Sequence, residues 1–188
     1  ASWSNFVTRV SGSPGGSGNY CVQLQSTSKV GVVANGGITS GCFNAGDMSA
    51  GNSKNCTYTS ASGFHMNFSA YPDSVYVWTK TELSSGNSKA QFNIVLHNGT
   101  AASGASNGAI YQDPTPTATT GFLNNHTEQE NSVVNTTSAV NEAKAVAKAK
   151  AMFNTSGNWV QQSVAFTYTS NSSAPIYVLA TFSTNKDA

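Results

Sequence analysis

Groups able to do acid–base or metal chemistry are few in this chain. Its 188 residues hold eight carboxylates: Asp47, Asp73, Asp113, Asp187, Glu82, Glu128, Glu130 and Glu142. Glycoside hydrolysis needs two carboxylates facing each other across a cleft. Glu128 and Glu130 stand two residues apart, so on a strand they would share a face with His126. The run His126-Thr-Glu128-Gln-Glu130 is therefore the best acid–base or metal candidate. Its neighbours are polar, however, and a solvated loop accounts for it better. His65 and His97 sit in alternating runs, where an exposed or hydrogen-bonded side chain is expected rather than a ligand. No Gly-x-Ser-x-Gly nucleophile turn and no phosphate-cradling glycine loop occurs. The expectation is a protein that is not an enzyme and uses no cofactor or metal.

Covalent modification is better represented. Acceptor triplets for N-glycosylation begin at Asn55, Asn67, Asn98, Asn125, Asn135, Asn154 and Asn171. By composition alone, 20 asparagines among 47 serines and threonines in 188 residues give about five such triplets, so seven is a small excess. They mark surface loops of a secreted protein. Three cysteines, Cys21, Cys42 and Cys56, match no zinc or redox spacing. In an oxidising compartment they predict one disulfide and one remaining thiol. Cys42–Cys56 is the favoured pair because it would staple the polar, Gly-rich stretch between them; Cys21–Cys42 is the close competitor.

Charge is the outlier of composition. Only 9% of residues are Asp, Glu, Lys or Arg, and the net charge is +1, against about 25% charged residues in ordinary globular chains. Serine, threonine, asparagine and glycine take their place, numbering 27, 20, 20 and 17. Such a surface hydrates well and responds little to salt or pH. It points to an extracellular, cell-surface setting, and the small residue Ala1 is what signal-peptide cleavage leaves. Nucleic acid is excluded as a partner, since counterion displacement needs clustered Lys and Arg and Arg9 is the only arginine. No apolar run is long enough to span a membrane.

The elements that would position these groups are mostly strands. Period-2 alternation places Tyr20, Val22 and Leu24 on one face, and likewise Phe64, Met66 and Phe68. Asp73 to Leu83 reads as a strand whose Tyr76 and Trp78 could stack on sugars, although burial on both faces is the favoured reading. Further strands follow from Ala90 to Leu96, Trp159 to Thr169 and Ala174 to Thr184, the last two joined as a hairpin through Ser170–Ser173. Asn98 to Gly121 reads as a long loop with a short strand at Ala109–Gln112. One segment departs from the pattern. Ser138 to Met152 is rich in Ala and Lys, with Ser138 as N-cap and its lysines late, and predicts a helix of three to four turns. The expected fold class is mostly β: a single β-sandwich or jelly-roll-like head with one Ala-rich helix.

The N-terminus carries the most informative organisation. Residues 1–10, ASWSNFVTRV, have strand character with Trp3, Phe6, Val7 and Val10. Residues 11–19, SGSPGGSGN, have the composition of a flexible linker, with an r.m.s. reach of about 15–18 Å. Residues 20–188 form the head. Together with the Asn/Ser/Thr-rich body and its scattered acceptor triplets, this layout resembles the archaeal thread type of filament subunit. The resemblance implies head-to-tail polymerisation by donor-strand complementation, in which residues 1–10 add to the sheet of an identical neighbour. It also implies N-linked glycans and a role in adhesion or biofilm formation at the cell surface. The alternatives are a secreted, lectin-like carbohydrate-binding β-sandwich and a small jelly-roll glycoside hydrolase.

Overall fold

A computed structural model describes residues 6–12, 14, 18–29, 32–45, 55–60, 63–82, 89–99, 109–112, 145–170 and 172–184. Among these residues there are strands and turns but no helix. Strands β1 (Val7–Ser11) and β2 (Tyr20–Leu24) come first, followed by β3 (Thr27–Lys29), β4 (Val32–Ala34) and β5 (Gly37–Thr39). Next are β6 (Cys42–Ala45), β7 (Asn55–Ser60), β8 (Met66–Asn67), β9 (Ser74–Thr79) and β10 (Ala90–His97). The short strand expected at Ala109–Gln112 is β11. It is followed by β12 (Ala145–Phe153), β13 (Val160–Ala165), β14 (Thr167–Tyr168) and β15 (Tyr177–Ser183). All pairings are antiparallel.

The largest unit is a six-stranded sheet in the order β14-β12-β10-β15-β5, with β8 also pairing with β15. β10 lies at its centre and every one of its residues is buried. Its two faces differ in chemistry. Phe92, Ile94 and Leu96 face one way, beside Phe182, Ala180 and Val178 of β15 and Ala151, Ala149 and Ala147 of β12. Onto this apolar face packs the ribbon of β9 and β13, through Val75, Val77 and Val164, with Phe68 and Phe166 completing the cluster. Gln91, Asn93, Val95 and His97 face the other way, where His97 reaches Thr59 of the β11-β7-β6 sheet.

Two expectations are corrected by this topology. Ala145 to Met152, the described part of the anticipated helix, belongs to strand β12; Ser138 lies outside the described residues. The segment Ala-Val-Ala-Lys-Ala-Lys-Ala-Met-Phe alternates alanine with larger side chains from Ala145 to Met152, and that period outweighs helix propensity. A short helix is marginal without tertiary support, whereas a strand here pairs along the whole of β10. Its alanines fall beside Phe92, Ile94 and Leu96, so small side chains leave room for large ones. Likewise, Ser170–Ser173 does not join a hairpin. β13 pairs with β9, β14 with β12, and β15 with β10, so the segment from Trp159 to Thr169 divides at Phe166 between ribbon and sheet and neither part pairs with β15.

The ribbon is locked to the sheet at one end by a reciprocal threonine pair. The Thr81 amide donates to Thr155 Oγ1, and the Thr155 amide donates to Thr81 Oγ1, each over 2.7 Å. Both threonines are buried, so these bonds satisfy groups that water cannot reach. Phe92, fully buried between sheet and ribbon, carries the apolar side of the core. Its replacement by alanine should cost about 3–5 kcal/mol in urea unfolding; a loss below about 1 kcal/mol would contradict the central placement of β10.

Candidate functional site

The N-terminal strand sits apart from the larger sheets. β1 pairs only with β2 among the described residues, in a two-stranded unit whose register runs from Val7↔Leu24 to Ser11↔Tyr20. The Gly-rich stretch expected to be a linker is the loop of this hairpin. Gly12 and Gly18 take φ of 99° and 126°, which side-chain-bearing residues rarely adopt. The Gly12 amide closes the loop on the Asn19 carbonyl at 2.9 Å. Across the strands, the Thr8 hydroxyl donates to Gln23 Oε1 at 3.3 Å. The Arg9 guanidinium lies 4.4 Å from the centre of the Tyr20 ring, a cation–π contact.

Little apolar surface is buried in making this unit. Val7, Tyr20 and Val22 are 45%, 57% and 53% exposed, while Phe6, Val10 and Leu24 are half-buried. A lone two-stranded hairpin is marginally stable in water, so its root matters. There the Gln25 amide donates to the Phe6 carbonyl at 2.9 Å. Gly36 lies against this crossing so closely that a Cβ would come 2.6 Å from Gln25 N and 2.9 Å from Phe6 O. A hydroxyl cluster ties the crossing to the end of β15. Thr184 Oγ1 lies 2.6 Å from Ser26 Oγ and accepts from the Gly36 amide at 3.1 Å. Among the described residues, close backbone approach and hydroxyls fasten the root of the hairpin.

Of the four residues expected to make the N-terminal interface, Phe6, Val7 and Val10 lie on or beside β1, and Trp3 lies outside the described residues. Asn67 and Asn154 present exposed acceptor side chains, whereas Asn98 is half-buried at the end of β10. Asn154 Oδ1 accepts from the Ser156 amide at 3.0 Å. Asn55 falls in β7, and Asn125, Asn135 and Asn171 lie outside the described residues, as do His126, Glu128 and Glu130.

The expected Cys42–Cys56 disulfide is not formed. Cys42 is a free, half-buried thiol, as is Cys21. The β6–β7 register explains this, since Cys42 pairs with Tyr58 and Cys56 with Asn44. The two cysteines are therefore diagonal neighbours at about 7–8 Å, whereas a disulfide needs Cα atoms within about 4.4–6.8 Å. His65 is exposed and packs edge-on against Tyr177. His97 is fully buried; Nδ1 accepts from the Gly99 amide, which leaves Nε2 to donate to Thr59 Oγ1 at 3.0 Å. Among the described residues no three His, Cys, Asp or Glu side chains gather as a metal site. No helix there is long and apolar enough to cross a membrane.

The outer face of the β9–β13 ribbon departs from expectation. Tyr76 and Trp78, read from sequence as buried, are 63% and 43% exposed. The signal lay in the partner strand, because Tyr76 pairs with Ser163 and Trp78 with Gln161. Those polar residues could not lie in an apolar layer. Comparison with family models, with curated proteins and with solved structures finds no match.

Two outcomes follow from this geometry. Gly36→Ala should push the hairpin off its root and speed tryptic cleavage after Arg9 several-fold, with the far-UV circular dichroism of the sheets retained; unchanged cleavage would show that the close approach is not needed. Reductant should leave the melting temperature unchanged. A fall of several degrees would reveal a bridge, since a disulfide contributes typically about 2–4 kcal/mol.

Proposed function

We propose that this chain is the structural subunit of an extracellular, cell-surface filament that grows head-to-tail by donor-strand complementation. In this reading its residues 20–188 form a β-sandwich head, its N-terminal strand belongs to the next subunit, and N-linked glycans coat the polymer. The observation that carries the reading is the build of the N-terminal hairpin. β1 is joined to the body through a Gly-rich loop and pairs with β2 alone among the described residues. Its partner strand and root notch form an acceptor that an identical β1 from a neighbour would fit with the same hydrogen bonds. Exchange of such an element between identical chains costs few contacts, and a head-to-tail exchange that does not close generates a filament. Main-chain ladder bonds would supply affinity, and alternate side chains the register. The near-absence of charge suits close packing of many copies, since little like-charge repulsion accumulates. Adhesion or biofilm formation is the role such a polymer would serve.

Thr8 and Gln23 lie directly opposite in the ladder, which allows cis and trans pairing to be told apart. In a background with the native cysteines replaced by serine, Thr8→Cys with Gln23→Cys should give an oxidised ladder of covalent multimers from native filaments on non-reducing gels. Covalently closed monomers alone would refute exchange between subunits.

A further inference from the structure

We propose that the outer face of the β9–β13 ribbon is a binding platform for a neutral carbohydrate chain, a role that goes beyond the filament reading and does not depend on it. Alternation along β9 sends Val75 and Val77 into the core and turns Tyr76 and Trp78 outward. Successive outward residues on one strand stand about 6.5–7 Å apart. Trp159, immediately ahead of β13, is 37% exposed and continues the alternation of Gln161 and Ser163. The face therefore carries Tyr76, Trp78 and Trp159 interleaved with an amide and hydroxyls. The Ser74 and Ser163 hydroxyls beside the Tyr76 phenol lower its pKa from the ordinary value.

A protein partner with an apolar surface would leave the outward Gln161 amide without a partner. A sugar satisfies both sets, stacking its C–H face on the rings and offering its hydroxyls to Ser74, Ser163 and Gln161. Charge narrows the class further. Lys80, at one end of the face, is ion-paired with Glu82 at 2.9 Å. Asp73 lies at the other end, close enough for its charge to act on the Tyr76 phenol. The balance on this face is neutral to slightly negative, which suits an uncharged glycan and repels a uronate polymer. Because the backs of these strands are fixed by Val75, Val77 and Val164 in the core, the platform is rigid before ligand arrives.

The test is affinity electrophoresis of the full-length protein through gels containing a neutral glucan, a neutral mannan, a neutral galactan or a polyuronate. Retardation by at least one neutral polymer, and not by the polyuronate, is expected. Trp78→Ala and Trp159→Ala should each weaken that retardation about tenfold or more, while the circular dichroism of the fold stays as in the parent. Absence of retardation in all neutral gels would overturn the proposal. So would variants that bind like the parent, or variants that lose only self-association, which would make the face a contact between copies. Filament formation by micrograph is scored in parallel, so loss of sugar binding with filaments intact separates this site from the assembly reading.

Discussion

The double burial of β10 is the constraint on which the rest of the molecule depends. A strand sealed on both faces must satisfy two different neighbours at once, and here it does so with two different chemistries. Phe92, Ile94 and Leu96 supply apolar area to the ribbon, worth about 25 cal/mol for each Å² removed from water. Gln91, Asn93 and His97 present polar groups that cost several kcal/mol if buried without partners. Hydroxyls meet part of that demand: Thr59 bonds to His97, and Thr39 lies 3.1 Å from Thr181 one strand over, while Lys148 and Lys150 of β12 share this face opposite Val95 and Asn93. A polar layer of this kind adds little net stability. Its effect is on specificity, because any other register would strand its hydrogen-bonding groups.

That same division explains which parts of the fold were legible in the sequence. β9, β10, β13 and the core of β15 announce themselves by alternation within their own residues. β12 also alternates, but its alanines and lysines carry high helix propensity, and only the neighbouring β10 decides between the two. The pairing of β13 with β9 rather than β15 is non-local, set by the ribbon's need to cover Phe92, and no local turn signal reports it. Exposure of Tyr76 and Trp78 became readable only when Ser163 and Gln161 were known to lie opposite. The cysteine pairing failed for a related reason: spacing along the chain says nothing about the two-residue offset across β6 and β7.

The N-terminal segment was legible in composition but not in its pairing. Strand character in ASWSNFVTRV and loop character in SGSPGGSGN are both present, yet whether the strand pairs within its chain or beyond it depends on energies the sequence does not display. In the single chain it folds back on β2, fastened by the Gln25–Phe6 bond and the Gly36 notch. Both fastenings use backbone atoms, which any copy of β1 carries.

This sets a physical condition on polymerisation. A short connection between β1 and β2 keeps the two strands at an effective concentration in the mM range, so contacts identical in cis and trans would leave dilute chains self-paired. A filament needs contacts that exist only between copies. Val7, Tyr20 and Val22, all large and all exposed in the single chain, are the residues with most to gain from a neighbour's surface. If the polymer buries them, their area shifts the balance towards exchange, and the low charge of the head removes the repulsion that would oppose it. The loop glycines contribute in the same direction. Gly12 and Gly18 hold backbone angles needed only by the closed hairpin, and glycine surrenders more conformational freedom than any other residue when fixed there. Opening the loop to reach a neighbour returns that freedom, so the residues that permit the hairpin also limit how firmly it is closed.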